Sequence, residues 1–337
     1  MKKCLSILLI FFNVINGFQL RMTSINDFSK YCDLYKKKYI TPINEEIAYQ
    51  NFCTNMRHIQ RINNQQSSYS VGWNDFTDQS IDFIKEMKLK FIMENTNNND
   101  HFTSLSNNIV LPNKIDWKQK DKVRNVKNQG NCGSCWAFST VGALESMIDI
   151  NCNKKINLSE QELVDCSQKN YGCNGGWMHE AMNHIIINNG LYSEYDYPYI
   201  GNDINQCKNL NNTKIIESGN FKPIFVKKNC CSSLQKALAF NTVCIALDAN
   251  DYGFLFYKDG VYDRNLSPTI SPNHAVLLTG YDTEYEIPKW TIKNSWGESW
   301  GRNGYMDIKM LKGNNIGVAA MYSYSIFPLY LGNNTSL

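Results

Sequence analysis

Between Gln129 and Trp136 the chain reads Gln-Gly-Asn-Cys-Gly-Ser-Cys-Trp, and this stretch constrains the fold more than any other. From Ala137 the apolar residues Ala137, Val141, Leu144 and Ile148 recur at i, i+4, i+7 and i+11, the spacing of one buried helix face. Cys135 therefore falls at a helix N-terminus, where unpaired backbone N–H groups and the positive end of the macrodipole favour a thiolate over a thiol. Gln129 lies just upstream, so a candidate nucleophile and an amide side chain arrive together.

A thiolate nucleophile needs an imidazole to hold and return a proton, and that imidazole needs an orienting partner. Ser271-Pro272-Asn273-His274 sets a lone His ahead of the strand-like run Ala275 to Leu278, and Trp290-Thr291-Ile292-Lys293 ends a second such run at Asn294-Ser295-Trp296. Alone, each residue has an ordinary explanation: a structural His, a small core Cys, an Asn in a turn. In the order Cys, His, Asn, each inside its own matching stretch, they point to one catalytic centre.

On these segments the chain resembles the papain-like cysteine proteases, and within them the cathepsin L-like branch that includes baculovirus viral cathepsins. The resemblance covers nearly all the chain after its N-terminal segment. It implies an α+β, papain-like two-domain fold: a helical left half and a β-barrel right half with the active-site cleft between, preceded by a helical inhibitory propeptide. Cys135 would stand on one wall as nucleophile and His274 on the other as the base that later protonates the leaving amine. Asn294 would orient the ring under the cover of Trp296, and Gln129 with the Cys135 N–H would form the oxyanion hole. Gly175 and Gly176 match the family's substrate-backbone segment, and Trp177, Met178, Ala246, Pro272 and Met321 fall at positions lining its S2 pocket, all apolar.

The bounds agree. The 337 residues, 43% hydrophobic and 19% charged, are ordinary for a globular protein, and a net charge of +3 argues for neither a nucleic-acid nor a membrane partner. Lys2 and Lys3 precede an apolar run, Leu5 to Ile15, too short to span a bilayer, which reads as a signal peptide over 1–17. The product is expected in the secretory pathway, either in a lysosome-like acidic compartment or outside the cell. There disulfides persist. Cys132, Cys135, Cys166 and Cys173 with His179 can be drawn as a zinc cluster, but that leaves Gln129, Trp136 and the His and Asn segments unexplained, so neither metal nor cofactor is expected.

Residues 18–110 differ in kind. A helical run from Glu45 through Asn63 carries Phe52, Asn55, Ile59 and Asn63 at the spacing of the family's propeptide helix, but Asn44 and Ala48 stand where its Glu and Arg belong, so that ion pair is missing. Gly72, Asn74, Phe76 and Asp78 complete the motif that follows, and the Asn-rich stretch Asn95 to Asp100 reads as an exposed linker. The resemblance makes this region an intramolecular inhibitor and 111–337 the peptidase, with about 111–220 helical and about 221–337 strand-rich. Leu158-Ser159-Glu160-Gln161-Glu162-Leu163 predicts a capping box with its hydrophobic staple. Strands are predicted over Val243 to Asp248, Val276 to Tyr281, Trp290 to Lys293 and Gly304 to Lys309.

The resemblance pairs Cys132 with Cys173 and Cys166 with Cys207. The family's usual third bridge is absent, leaving Cys152, Cys230, Cys231 and Cys244 to crossed pairings or free thiols, with Cys244 expected buried and free. Sequons stand at Asn157, Asn211, Asn265, Asn333 and Asn334. The expected product is a monomeric endopeptidase made as a zymogen and cutting proteins and peptides with a preference for apolar P2 residues. A catalytically dead binding protein is disfavoured because nucleophile, base, orienter and oxyanion amide are all present. An exopeptidase is disfavoured because no His-bearing occluding insertion is seen.

Overall fold

The computed structural model describes residues 25–65, 67–90, 110–203, 206–210, 214–216, 218–264 and 270–332. The signal segment 1–17, the Asn-rich linker and the sequons at Asn211, Asn265, Asn333 and Asn334 lie outside them. Asn157 lies inside and is exposed.

The N-terminal region folds as a helix that includes residues 25–35 (α1), helix α2 (Pro42–Asn63), strand β1 (Tyr69–Val71) and helix α3 (Ile81–Lys88). Thr41 caps α2 by accepting from the Asn44 N–H, and Pro42 sits in the first turn, where its missing N–H removes nothing. The helix buries Ala48, Phe52, Asn55, Ile59 and Ile62, spaced so that they form one stripe. Asn55 donates to the carbonyls of Thr77 and Gln79, and Asn63 exchanges two hydrogen bonds with the Val71 backbone. The ion pair missing from the sequence pattern is replaced. The Asp78 carboxylate accepts from Tyr31 (2.8 Å) and Tyr39 (2.9 Å) and pairs with Lys37 at 3.2 Å, while Ala48 packs with Phe28, Tyr31 and Phe52.

The remaining chain forms β2 (Lys114–Asp116), α4 (Cys135–Cys152), α5 (Glu160–Cys166), α6 (Met178–Ile187), β3 (Phe221–Phe225), α7 (Cys231–Phe240), β4 (Val243–Leu247) and α8 (Tyr252–Leu255). It closes with β5 (Tyr257–Tyr262), β6 (His274–Asp282), β7 (Lys289–Lys293), β8 (Tyr305–Lys309) and β9 (Ser325–Tyr330). The strands run in the order β1-β5-β8-β7-β6-β4-β9-β3, with β2 added on β6. Two features cross the expected halves. β2 precedes the helices yet joins the sheet, and β1 of the N-terminal region extends that sheet antiparallel to β5.

Helix α4 is buried nearly all round rather than along one stripe, because it packs against α5 and α6 on one side and β4, β6 and β9 on the other. Most of its polar residues are accordingly partnered, Ser146 Oγ excepted: Ser139 donates to the Val276 carbonyl, Glu145 meets Lys127, and Asp149 meets Lys122 and Arg124. Two apolar clusters result, one around α4 and α6 and the other inside the sheet. Phe76 and Ile84 of the N-terminal region belong to the second.

The expected capping box of α5 is half formed. Ser159 Oγ accepts from the Glu162 N–H at 2.9 Å, but Glu162 turns away to accept from the Tyr192 N–H and pair with Lys214, and the Ser159 N–H donates to the Tyr192 carbonyl instead. The two disulfides form as expected, Cys132 with Cys173 and Cys166 with Cys207. Cys152, Cys230, Cys231 and Cys244 are all free. Cys244 is fully buried, donates to the Ser139 carbonyl and is pushed up to about 12 by desolvation. A thiol so placed should resist alkylation at neutral pH in the native protein while exposed Cys152 reacts; peptide mapping after iodoacetamide treatment checks this.

Candidate active site

Cys135 opens α4 and is fully enclosed. The Cys132–Cys173 bond and the hydrogen bond from the Gly133 N–H to the Cys173 carbonyl hold the turn that presents it. His274 begins β6 at the other side of the cleft. Its Nε2 lies 2.8 Å from Asn294 Oδ1, and the Trp296 ring covers it with centroids 4.6 Å apart. The Asn294–Ser295 turn reaches the helical side. Ser295 Oγ donates to Gln129 Oε1 at 2.7 Å and the Gln129 N–H donates to the Ser295 carbonyl, so the amide carrying Nε2 is fixed from both ends. Gln129, Ser295, Asn294, His274 and Trp296 are thus linked, and the Cys135 thiol meets the backbone of Ala275, next to His274. Ser295 is an addition that adjacency to Asn294 alone would have suggested.

The N-terminal region runs through this cleft. The Lys88 carbonyl lies 3.4 Å from Gln129 Nε2 and its backbone lies against His274, while the Lys90 backbone meets the Cys135 thiol. Lys88 Nζ donates to the Gly130 carbonyl at 2.9 Å. Gly175, at φ +112, faces the Lys90 carbonyl so closely that any Cβ would collide with it. Gly176 has a different reason for being glycine: a Cβ there would strike Asn170 and Trp136, which is internal packing rather than approach to a substrate.

The cover shifts both groups toward their neutral forms. Burial pushes the Cys135 thiol up to about 11, against main-chain contacts from Ala275, Trp136, Lys90 and Cys135 itself that pull it back. Burial also pushes His274 down to about 4, with the Lys88 charge adding to the effect and the Asn294 bond opposing it. His274 Nδ1 makes no hydrogen bond. Burial in this covered cleft thus disfavours the charged form of both groups, raising the thiol and lowering the imidazole.

Of the residues expected to line S2, Trp177, Met178 and Ala246 share the cluster around α4, and Pro272 is buried two residues before His274. Met321 is not with them: it packs in the sheet-side cluster, its N–H bonded to the Val318 carbonyl. Tyr324 stands where Met321 was expected. Its ring lies 6.2 Å from that of Trp177, its carbonyl accepts from the Ala246 N–H, and its hydroxyl is 2.8 Å from His179 Nδ1. Cys132, Cys166 and Cys173 of the alternative zinc drawing are engaged in disulfides.

Comparison with known proteins sets this geometry in context. Residues 111–326 match the family model described as papain family cysteine protease, and residues 28–82 match the cathepsin propeptide inhibitor domain (I29). Zingipain-2 of Zingiber officinale is 40% identical over 224 residues, covering 66% of this chain and 99% of its own. The viral cathepsin of Heliothis zea nuclear polyhedrosis virus is 36% identical over 310 residues, 84% of this chain and 80% of the virus protein. Among solved structures, the proform of the ragweed pollen cysteine protease Amb a 11 superposes with a TM-score of 0.81 at 30% identity, covering 92% of this chain and 95% of that one.

Proposed function

Because the chain belongs to the papain family of cysteine proteases and is made as a proenzyme with an I29 propeptide, we propose that Cys135, His274, Asn294 and Gln129 form its catalytic centre. In the uncovered enzyme Cys135 attacks the scissile carbonyl, and His274 holds the proton and delivers it to the leaving amine. Asn294 keeps Nε2 occupied so that Nδ1 faces the thiol, and the Gln129 amide receives the oxyanion. The observation that carries this reading is the Lys88 carbonyl resting at the Gln129 amide, beside His274, where a substrate carbonyl would lie.

The same reading assigns 1–17 to a signal peptide, 18–110 to the propeptide and 111–337 to a cathepsin L-like endopeptidase of the secretory pathway, acting in an acidic compartment or outside the cell. Among the described residues no helix is long and apolar enough to cross a membrane. The test uses the full-length precursor and an epoxysuccinyl thiol probe. After acid processing the probe should label Cys135 stoichiometrically and stop peptide cleavage, while the neutral precursor stays unlabelled. Cleavage that continues after full labelling of Cys135 would overturn the assignment.

Specificity is proposed to come from an S2 pocket walled by Trp177, Met178 and Ala246 and closed by Tyr324 in place of Met321. A P2 Leu or Phe buried there gains roughly 1.5–3 kcal/mol. A P2 Arg must leave water for aromatic and apolar walls, with the Tyr324 hydroxyl already turned to His179. In steady-state assays P2 Leu peptides should exceed P2 Arg peptides by about tenfold or more in kcat/KM, and Tyr324→Glu should narrow the gap where Met321→Glu does not.

A further inference from the structure

Lys127 reaches two parts of the cleft at once. It stands two residues before Gln129, in a segment that runs beside the turn following Asn294. The Gly297 N–H donates to the Lys127 carbonyl at 3.1 Å, Asn128 forms a bridge with Trp296, and the Gln129 N–H donates to the Ser295 carbonyl at 2.8 Å. At the start of the same segment Lys293 Nζ donates to the Arg124 carbonyl at 2.8 Å. Residues 124–129 are therefore stitched to residues 293–297.

The Lys127 side chain is anchored in the helical half instead. Its Nζ lies 3.1 Å from Glu145 Oε1 on α4 and 2.7 Å from Glu160 Oε1 at the start of α5, and it donates to the Leu158 carbonyl at 3.2 Å. Both carboxylates are 1% exposed, and Glu160 Oε2 makes no hydrogen bond. A dry carboxylate depends on its partner for the solvation it has lost, so any slide of the ammonium away from this pair is opposed. Helix α4 is also the helix that Cys135 opens. One residue thus joins the helix of the nucleophile to the segment of the Gln129 amide and, through its carbonyl, to the turn that follows Asn294.

We propose that Lys127 is a positioning residue for the reaction: its ammonium, held between Glu145 and Glu160, fixes the register of the Gln129 amide and the Asn294 turn against the Cys135 helix. The inference rests on the roles proposed above for Cys135 and Gln129, and adds the residue that holds them to one another. Ser295 aims the Gln129 side chain from the sheet side, whereas Lys127 places its backbone from the helical side. A reacting group displaced by about 1 Å can cost about a hundredfold in rate, so an anchor of this kind acts on turnover as well as on stability.

The experiment uses enzyme processed from the full-length precursor, with competent sites counted by the epoxysuccinyl probe so that kcat is expressed per reactive Cys135. A merely structural ion pair would change the number of competent sites and the melting temperature but leave kcat per site alone. Lys127→Met should lower kcat per site by about tenfold or more, with KM within about threefold of wild type. It should weaken a peptide nitrile by a similar factor: the Cys135 sulfur adds to the nitrile carbon, the thiol proton passes to the nitrogen, and that nitrogen lies where the oxyanion would. Lys127→Arg, which keeps a cation between the two carboxylates, should recover most of both losses. Lys127→Met combined with Glu160→Gln removes one charge of each sign and serves should the single variant not fold; it must show the same losses. A kcat per site within about twofold of wild type, an unchanged nitrile affinity, or an Arg variant as impaired as the Met variant overturns the role of Lys127. Gln129→Ala is the reference: if it leaves nitrile affinity unchanged, the oxyanion assignment of Gln129 fails instead.

Discussion

Cys135→Ala is expected to abolish peptidase activity, lowering kcat/KM by about four orders of magnitude or more, while leaving a folded precursor. The loss is large because the sulfur both forms the acyl bond and, once the cleft is open, supplies the negative half of the pair with His274. The fold should survive because Cys135 takes no part in either disulfide and Ala is a good residue for the first turn of α4. Fluorogenic peptide cleavage by the purified variant, beside its thermal melt, measures both. Turnover within tenfold of wild type would remove Cys135 from the centre. In the processed wild-type enzyme, readmitted water should restore the ion pair and with it a bell-shaped rate profile, falling on the acid side as the thiolate protonates and on the alkaline side as His274 deprotonates.

Gln129→Ala is the second large effect, expected to lower kcat by about 10²–10³-fold, roughly 2.7–4 kcal/mol, with little change in KM. The amide acts on charge that exists only in the transition state, so the loss belongs in kcat. Its position is set from across the cleft by Ser295, and its Nε2 also donates to the Cys132 carbonyl at 2.9 Å. A donor held on two sides is oriented before substrate arrives. Ser295→Ala should therefore give a smaller fall in kcat of the same kind, because the Gln129 backbone contact to the Ser295 carbonyl remains. A Gln129→Ala variant that raises KM with kcat unchanged would show that the amide binds substrate and product alike rather than the oxyanion.

Local sequence determined a good deal. The helix-opening Cys, the His ahead of a strand and the Asn after one were legible because each depends on its immediate neighbours, and hydrogen bonds of caps follow from nearby residues. The strands predicted around Val243, Val276, Trp290 and Gly304 appear within a residue or two of their expected ends. β3, β5 and β9 were not foreseen, since Pro223, Gly260 and Pro328 interrupt their pattern and only pairing with neighbours already in place makes strands of them. The disulfide pairs were legible through family resemblance alone, since the number of possible pairings grows far faster than anything spacing can exclude.

Tertiary structure decided the rest. Residues distant in sequence set the burial of Cys135 and His274, and that burial raises the thiol and lowers the imidazole while Lys88 to Lys90 lie in the cleft. Glu162 abandons its capping partner because Tyr192 and Lys214 offer its carboxylate more. Asp78 finds Lys37, Tyr31 and Tyr39 in place of the missing Arg, and Tyr324 rather than Met321 shares the cluster of Trp177 and Ala246. Which residue types are present, and their local periodicity, are properties of the chain read in order. Which of them share a dry, low-dielectric space is a property of packing alone, and electrostatic effects grow steeply as water is excluded.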